Sequence, residues 1–176
     1  MPINFSHALN PVFRFLLKVL ILYIAWFVLY EQWLHPDGRL DNWVIQNSLS
    51  LSSIILRLFN YNVAIAGRGI SVDEKTGLSI GDACDGVNLI ALFIGFIIAF
   101  PGSIKNKIIF CIGGSIAIHL LNVLRIASLS VIQLYHPDWM EFHHAYTFTF
   151  TIYAFIFGMW MLWVNKFSKI RKSDTN

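Results

Sequence analysis

Four long stretches of this chain, 19–30, 86–100, 108–124 and 145–165, contain no Asp, Glu, Lys or Arg. Such runs constrain the fold more tightly than any motif. A helix rises ~1.5 Å per residue, so ~20 apolar residues cross the ~30 Å hydrocarbon core of a bilayer. The runs predict four spanning helices, at about 12–30, 86–100, 108–134 and 145–165, with Arg14 and Lys18 at the start of the first. Only 13% of the 176 residues are charged and 56% are hydrophobic; soluble domains carry about 25% charged residues. The expectation is an all-α integral membrane protein forming one domain over 1–176. The first apolar segment lacks a small-residue cleavage site, so it is expected to be a retained anchor.

The positive charges set the orientation. Arg14 and Lys18, then Lys105 and Lys107, then Lys166, Lys169, Arg171 and Lys172 all fall on one side of a four-span chain. The positive-inside tendency makes that side cytoplasmic. The net charge of +3 therefore reflects membrane orientation and not a nucleic-acid surface. The segment 31–83 then lies outside. Within it, 42–60 has Val44, Leu51, Ile54, Ile55, Leu58 and Phe59 on one face of a helical wheel, and Gln46, Ser50, Ser53 and Arg57 on the other. That pattern predicts a helix lying at the interface. From 61 to 80 the period changes to two, with Val63/Ile65, Ile70/Val72 and Leu78/Ile80 around the turn at 73–77, which predicts a small extracytoplasmic β-hairpin.

Polar residues inside the spans single out one depth. Arg125 lies 18 residues beyond Lys107, so ~27 Å above the basic boundary. His144 lies 22 residues before Lys166, so ~33 Å above it. Cys84 lies 21 residues before Lys105, at a similar height. Ser115, His119, Asn122, Arg125 and Gln133 share one side of the third helix, a polar stripe expected to face the bundle interior. His119, near mid-membrane, is expected to be a hydrogen-bonded packing residue. Asn122 can hold the Arg125 guanidinium. Arg125 on its own could also snorkel to lipid phosphates.

Cys84 sits in a polar turn, Gly81-Asp82-Ala83-Cys84-Asp85-Gly86, directly before an apolar helix. Backbone N–H groups at a helix N-terminus favour a thiolate. Asp82 and Asp85 oppose it, so a cation such as Arg125 is needed to offset them. Asp85 can instead cap the helix, and Gly86 allows close backbone approach or helix packing. Asn88 follows in the first turn. His143 and His144, at the outer start of the fourth helix, can be interfacial anchors or include a general acid or base. Cys111, four residues past Lys107, lies near the basic side and reads as an inert filler. No metal-ligand spacing occurs, and no cofactor is called for.

Three pieces, Ala83-Cys84-Asp85-Gly86, Asn122-Val123-Leu124-Arg125 and His143-His144, on consecutive helices, resemble the exosortase/archaeosortase transpeptidases. The short length and the His-His-Ala-Tyr-Thr-Phe run look like the compact F-type branch of Bacteroidetes. The resemblance covers about 60–165. It implies a Cys–Arg–His site at the outer face of the bacterial inner membrane. Its substrates would be exported proteins ending in a short motif, a spanning helix and a basic tail. Asp85 departs from the small residue the family often has after the cysteine. In this scheme Cys84 forms the thioester, Arg125 stabilises charge, His143 or His144 moves protons, and Asp82, Asp85, Gly86, Asn88 and Asn122 support them. The bilayer is the other expected partner, with no nucleic acid; nothing in the chain specifies an oligomeric state. The alternative is a non-catalytic transport or envelope-assembly subunit whose polar pathway follows the third helix.

Overall fold

The computed structural model describes residues 11–73, 77–81 and 85–167. Helix α1 (Pro11–Leu29) continues through a π-helical turn, Tyr30–Leu34, and a short turn, His35–Asp37. Gly38, at φ +65, adopts the left-handed conformation and redirects the chain. Helix α2 (Arg39–Leu58) follows, then strands β1 (Val63–Ala66), β2 (Gly69–Val72) and β3 (Leu78–Ser79). Helix α3 (Val87–Ala99) stops where Phe100 precedes Pro101, because a pre-proline residue is pushed to extended backbone; Phe100 is found at φ −79, ψ 143. Helix α4 (Ile104–Tyr135) starts at Ser103, whose side chain accepts from Asn106 N, and ends before His136-Pro137. From Pro137 the backbone stays helical to Phe167: α5 (Pro137–Phe142), a π-helical turn at His143–Thr147, α6 (Phe148–Leu162) and a second π-helical turn at Trp163–Phe167.

Three helical stretches are long and apolar enough to cross a membrane: 13–37, 104–135 and 137–167. The fourth apolar run forms the shorter α3, whose 13 residues reach only ~20 Å. The non-helical segment 100–103 follows it, where Gly102 lies under Trp163. A Cβ on Gly102 would come within 2.5 Å of Trp163 Cζ2, so only glycine permits that approach. α3 runs antiparallel to both neighbours. Phe15 of α1 packs edge-on against Phe96 and Phe100, while Trp26 meets Asn88. Lys107 of α4 donates to Ile98 O, and Asn122 lies against Gly86.

At 32 residues, α4 is ~48 Å long, more than a hydrocarbon core needs. It serves two apolar cores in succession. Phe93, Ile97, Ile118, Ile152, Ile156 and Trp163 form one, among the spanning helices. The other joins Ile126, Ala127, Leu129 and Leu134 of α4 to α2 and the sheet, through residues such as Leu49, Ile70 and Leu78. The polar residues His119, Asn122 and Arg125 fall between them.

The expected hairpin is present and gains a third strand. β1 and β2 pair antiparallel around the two-residue turn Gly67-Arg68, and β2 pairs with β3 across the 73–77 connection. Helix α2 holds the turn: Gln46 Nε2 donates to Gly67 O at 2.7 Å, and Arg68 Nε donates to Asn42 Oδ1 at 2.8 Å.

Helix α2 packs on the protein largely through small residues. Its buried residues are Asp41, Val44, Ile45, Ser48, Leu49, Ser52, Ser53 and Leu56, whereas Ile54, Leu58 and Phe59 are exposed. The reason is helix packing. Small serines let α2 lie close to α4, where Ser52 Oγ donates to Val123 O at 2.9 Å. Ile54, Leu58 and Phe59, on the apolar face of the wheel, are left facing outward. The two helices run in the same direction, with Asn47 beside His119 and Leu56 and Phe59 beside Leu124 and Ala127.

Candidate active site

Asp82 and Cys84 lie outside the described residues; the turn that follows them is described. Asp85 is buried, and its Oδ1 accepts from Val87 N at 2.8 Å, fixing the entry to α3 in an Asx-type turn. Gly86 has φ +86, a conformation that favours glycine whatever the space around it. A Cβ there would sit an ordinary 3.6 Å from Asn122 Nδ2. The backbone angle, rather than crowding, therefore calls for glycine.

Asn122 Nδ2 donates to Asp85 O at 3.0 Å inside the protein. A residue expected to steady Arg125 thus clamps the Asp85-Gly86 turn. Arg125, one turn further along α4, is only 9% exposed and does not snorkel into lipid. Its Nη2 donates to His144 O at 3.4 Å. The π-helical turn at 143–147 leaves that carbonyl accepting from Thr149 Oγ1 as well, at 3.2 Å.

The two histidines part company here. His144 shares the Arg125 contact. His143 Nδ1 pairs with Thr147 Oγ1 at 3.1 Å, and its ring packs among Trp139, Phe142 and Phe148. Nor do they begin the helix, as the sequence suggested; they lie seven and eight residues into the helical run that starts at Pro137. His119 Nε2 lies 2.8 Å from Asn47 Oδ1, as befits a hydrogen-bonded packing residue. Cys111 is partly buried against the spanning core.

Asn88 is exposed, and its Oδ1 accepts from Trp26 Nε1 at 3.0 Å. It stands at the upper end of a groove of about 360 Å³ between α1, α3 and Tyr153 of α6, floored by Ala91 and Gly95. Its lining runs along α1 from Val19 to Glu31 and along α3 from Asn88 to Phe96. Above it, Trp26 stacks on Tyr30 at 5.6 Å, and Tyr30 Oη donates to Asp41 Oδ1 at 3.1 Å. Asp41 is 1% exposed.

Trp26, Tyr30 and Asp41 were not singled out from sequence. Asp41 fell in a stretch read as exterior, and only the i, i+4, i+7 series of Asp41, Ile45 and Ser48 marked a buried face. Among the described residues, no three His, Cys, Asp or Glu side chains gather as a metal-binding group.

The site therefore assembles the Asp85-Gly86 turn, Asn122, Arg125 and His144 where the two cores meet. Compared with known proteins, the chain matches the model of the transmembrane exosortase (EpsH-type) family over residues 8–164. No curated protein and no solved structure matches it.

Proposed function

Because the chain belongs to the transmembrane exosortase family, and so to a group of membrane peptidases and transpeptidases, we propose that it works through a thioester on Cys84. The Cys84 thiolate attacks a peptide carbonyl of the substrate, and the C–N bond breaks as His144 protonates the leaving amine. An incoming amine then gives its proton to His144 and attacks the thioester carbonyl, releasing Cys84. Arg125 offsets the charge of Asp82 and Asp85 on the thiolate and stabilises the oxyanion. Asn122 and Gly86 hold the nucleophile's turn, and Asn88 orients the chain entering beside it. His144 is preferred to His143 because it shares the Arg125 contact, whereas the His143 ring is packed among aromatics.

One observation carries this reading. The turn directly after Cys84 is clamped by Asn122, one helical turn from an Arg125 bonded to His144. The side groove ending at Asn88 supports a substrate whose apolar helix arrives within the bilayer, as expected of exported proteins bearing a C-terminal motif, spanning helix and basic tail. On this reading the site faces the exterior side of the bacterial inner membrane and passes the cleaved protein to a surface acceptor.

The test is co-expression with an exported protein that carries such a C-terminal signal. Cys84→Ala and Cys84→Ser should both abolish processing while the protein accumulates normally in membranes. Continued processing by Cys84→Ala rules the thioester out.

A further inference from the structure

A relay of side chains meets at the head of the groove between α1 and α3. Asp41 of α2 accepts from Tyr30 Oη, the Tyr30 ring stacks on Trp26 with the planes 20° apart, and Trp26 Nε1 donates to Asn88 Oδ1. The relay runs from buried to open. Asp41 and Tyr30 are buried, Trp26 is half-buried, and Asn88 is exposed.

An indole N–H can only donate. Trp26 therefore dictates how the Asn88 amide faces: its oxygen turns to the indole, and its Nδ2 keeps two N–H groups to give. Among the described residues Nδ2 gives to none, and Asn88 lines the groove. The arrangement is held at a cost. Asp41 Oδ2 has no partner among the described residues, and a buried carboxylate oxygen in that state destabilises a fold. What the carboxylate supplies is an anchor for the Tyr30 hydroxyl, and through it for the indole.

The open donors sit at a telling depth. Asn122, which lies against Gly86, is 18 residues from the start of α4, so ~27 Å along it. Asn88 is two residues further into the apolar α3, hence just inside the ~30 Å hydrocarbon core. An amide N–H at that depth is costly until an acceptor meets it. The body of a spanning helix offers none, because its carbonyls accept from its own N–H groups. A peptide that has left the helix offers one at every residue.

We propose that Asn88 is a fixed donor to a main-chain carbonyl of the substrate, at the point where its apolar helix gives way to extended chain, and that Trp26, Tyr30 and Asp41 are the residues that position it. This rests on the proposed function, in which that helix arrives along the groove. The protein thereby selects peptide already unwound beside the Asp85-Gly86 turn, where a main-chain bond is open to attack.

The experiment measures cleavage by the full-length protein in maltoside micelles, with a purified exported protein carrying the C-terminal signal as substrate at graded concentrations. Asn88→Ala should raise KM about tenfold, the scale of one hydrogen bond where water is excluded, and change kcat far less. Trp26→Phe keeps a ring on Tyr30 and removes the N–H. It should raise KM several-fold on its own and add nothing to Asn88→Ala. Asp41→Leu should raise KM likewise, and Asp41→Asn, which restores an acceptor for Tyr30, should bring it back. Replacing one main-chain amide of the substrate by an ester weakens the carbonyl acceptor there. Scanned across the head of the substrate helix, one such position should raise KM for the wild-type protein and leave it unmoved for Asn88→Ala. An unchanged KM in Asn88→Ala, or additive effects of Trp26→Phe and Asn88→Ala, overturns this inference and leaves the thioester standing. Absence of cleavage by the wild-type protein overturns both.

Discussion

Arg125 shows what a single residue must satisfy at this depth. A guanidinium costs ~2.5–3.5 kcal/mol at the centre of a bilayer and less near its edge. The chain offsets the cost by burying the head where the His144 carbonyl accepts from it. Arg125→Lys keeps the charge and loses the planar fork, so turnover of a co-expressed substrate should fall by at least about tenfold, the scale of a lost hydrogen bond to a charged group. Unchanged turnover would remove Arg125 from the chemistry. That Arg125 would be buried and partnered was legible in the sequence, because a polar residue within an apolar helix needs a partner. The partner was not legible. A backbone carbonyl in a π-helical turn leaves no mark on residue identity, and neither does the choice of Asp85 O by Asn122.

Elements were legible where composition is extreme and obscure where it is mixed. The apolar runs became α1, α3, α4 and α6 within a few residues, since lipid leaves the backbone little choice but to satisfy itself as helix. The wheel of α2 marked an apolar and a polar face without saying which meets α4, and close approach selected the side with serines. The same principle governs α3 against α4. A Cβ on Gly114 would lie 2.2 Å from Phe93 Cζ, in a fully buried ring. Gly114→Leu should therefore force the two helices apart and destabilise the protein by at least the ~1–3 kcal/mol of an overpacked core. A thermal melt in micelles checks this. Gly113→Leu is the control, because a Cβ on Gly113 meets nothing within 4 Å and should leave the melt unchanged.

The molecule as a whole is two packed units strung on α4, one among lipid-facing helices and one beyond them, with the candidate site at their seam. If the basic loops are cytoplasmic, Cys84 belongs to the exterior side and Cys111 to the interior. An impermeant thiol reagent applied to intact cells should then label Cys84 and spare Cys111; the reverse pattern would invert the orientation. The depth coincidence on which this rests was read from lysine positions and helical rise alone. The existence of a second core was not, because the tertiary contacts of β2 and β3 with α4 have no signature in their own short sequences.

The length of α4 has a consequence for how the protein is made. Its first two-thirds can settle in the bilayer as soon as it is inserted, but its last third packs on α2 and the sheet, which precede it in the chain, only once its own C-terminal end has reached their side. Arg125 and Asn122 lie at the junction, and His144 arrives later still in the chain. A nascent molecule caught partway through insertion holds the residues of the candidate site apart, in different solvents. Completion of the membrane topology is thus also the event that assembles the candidate site.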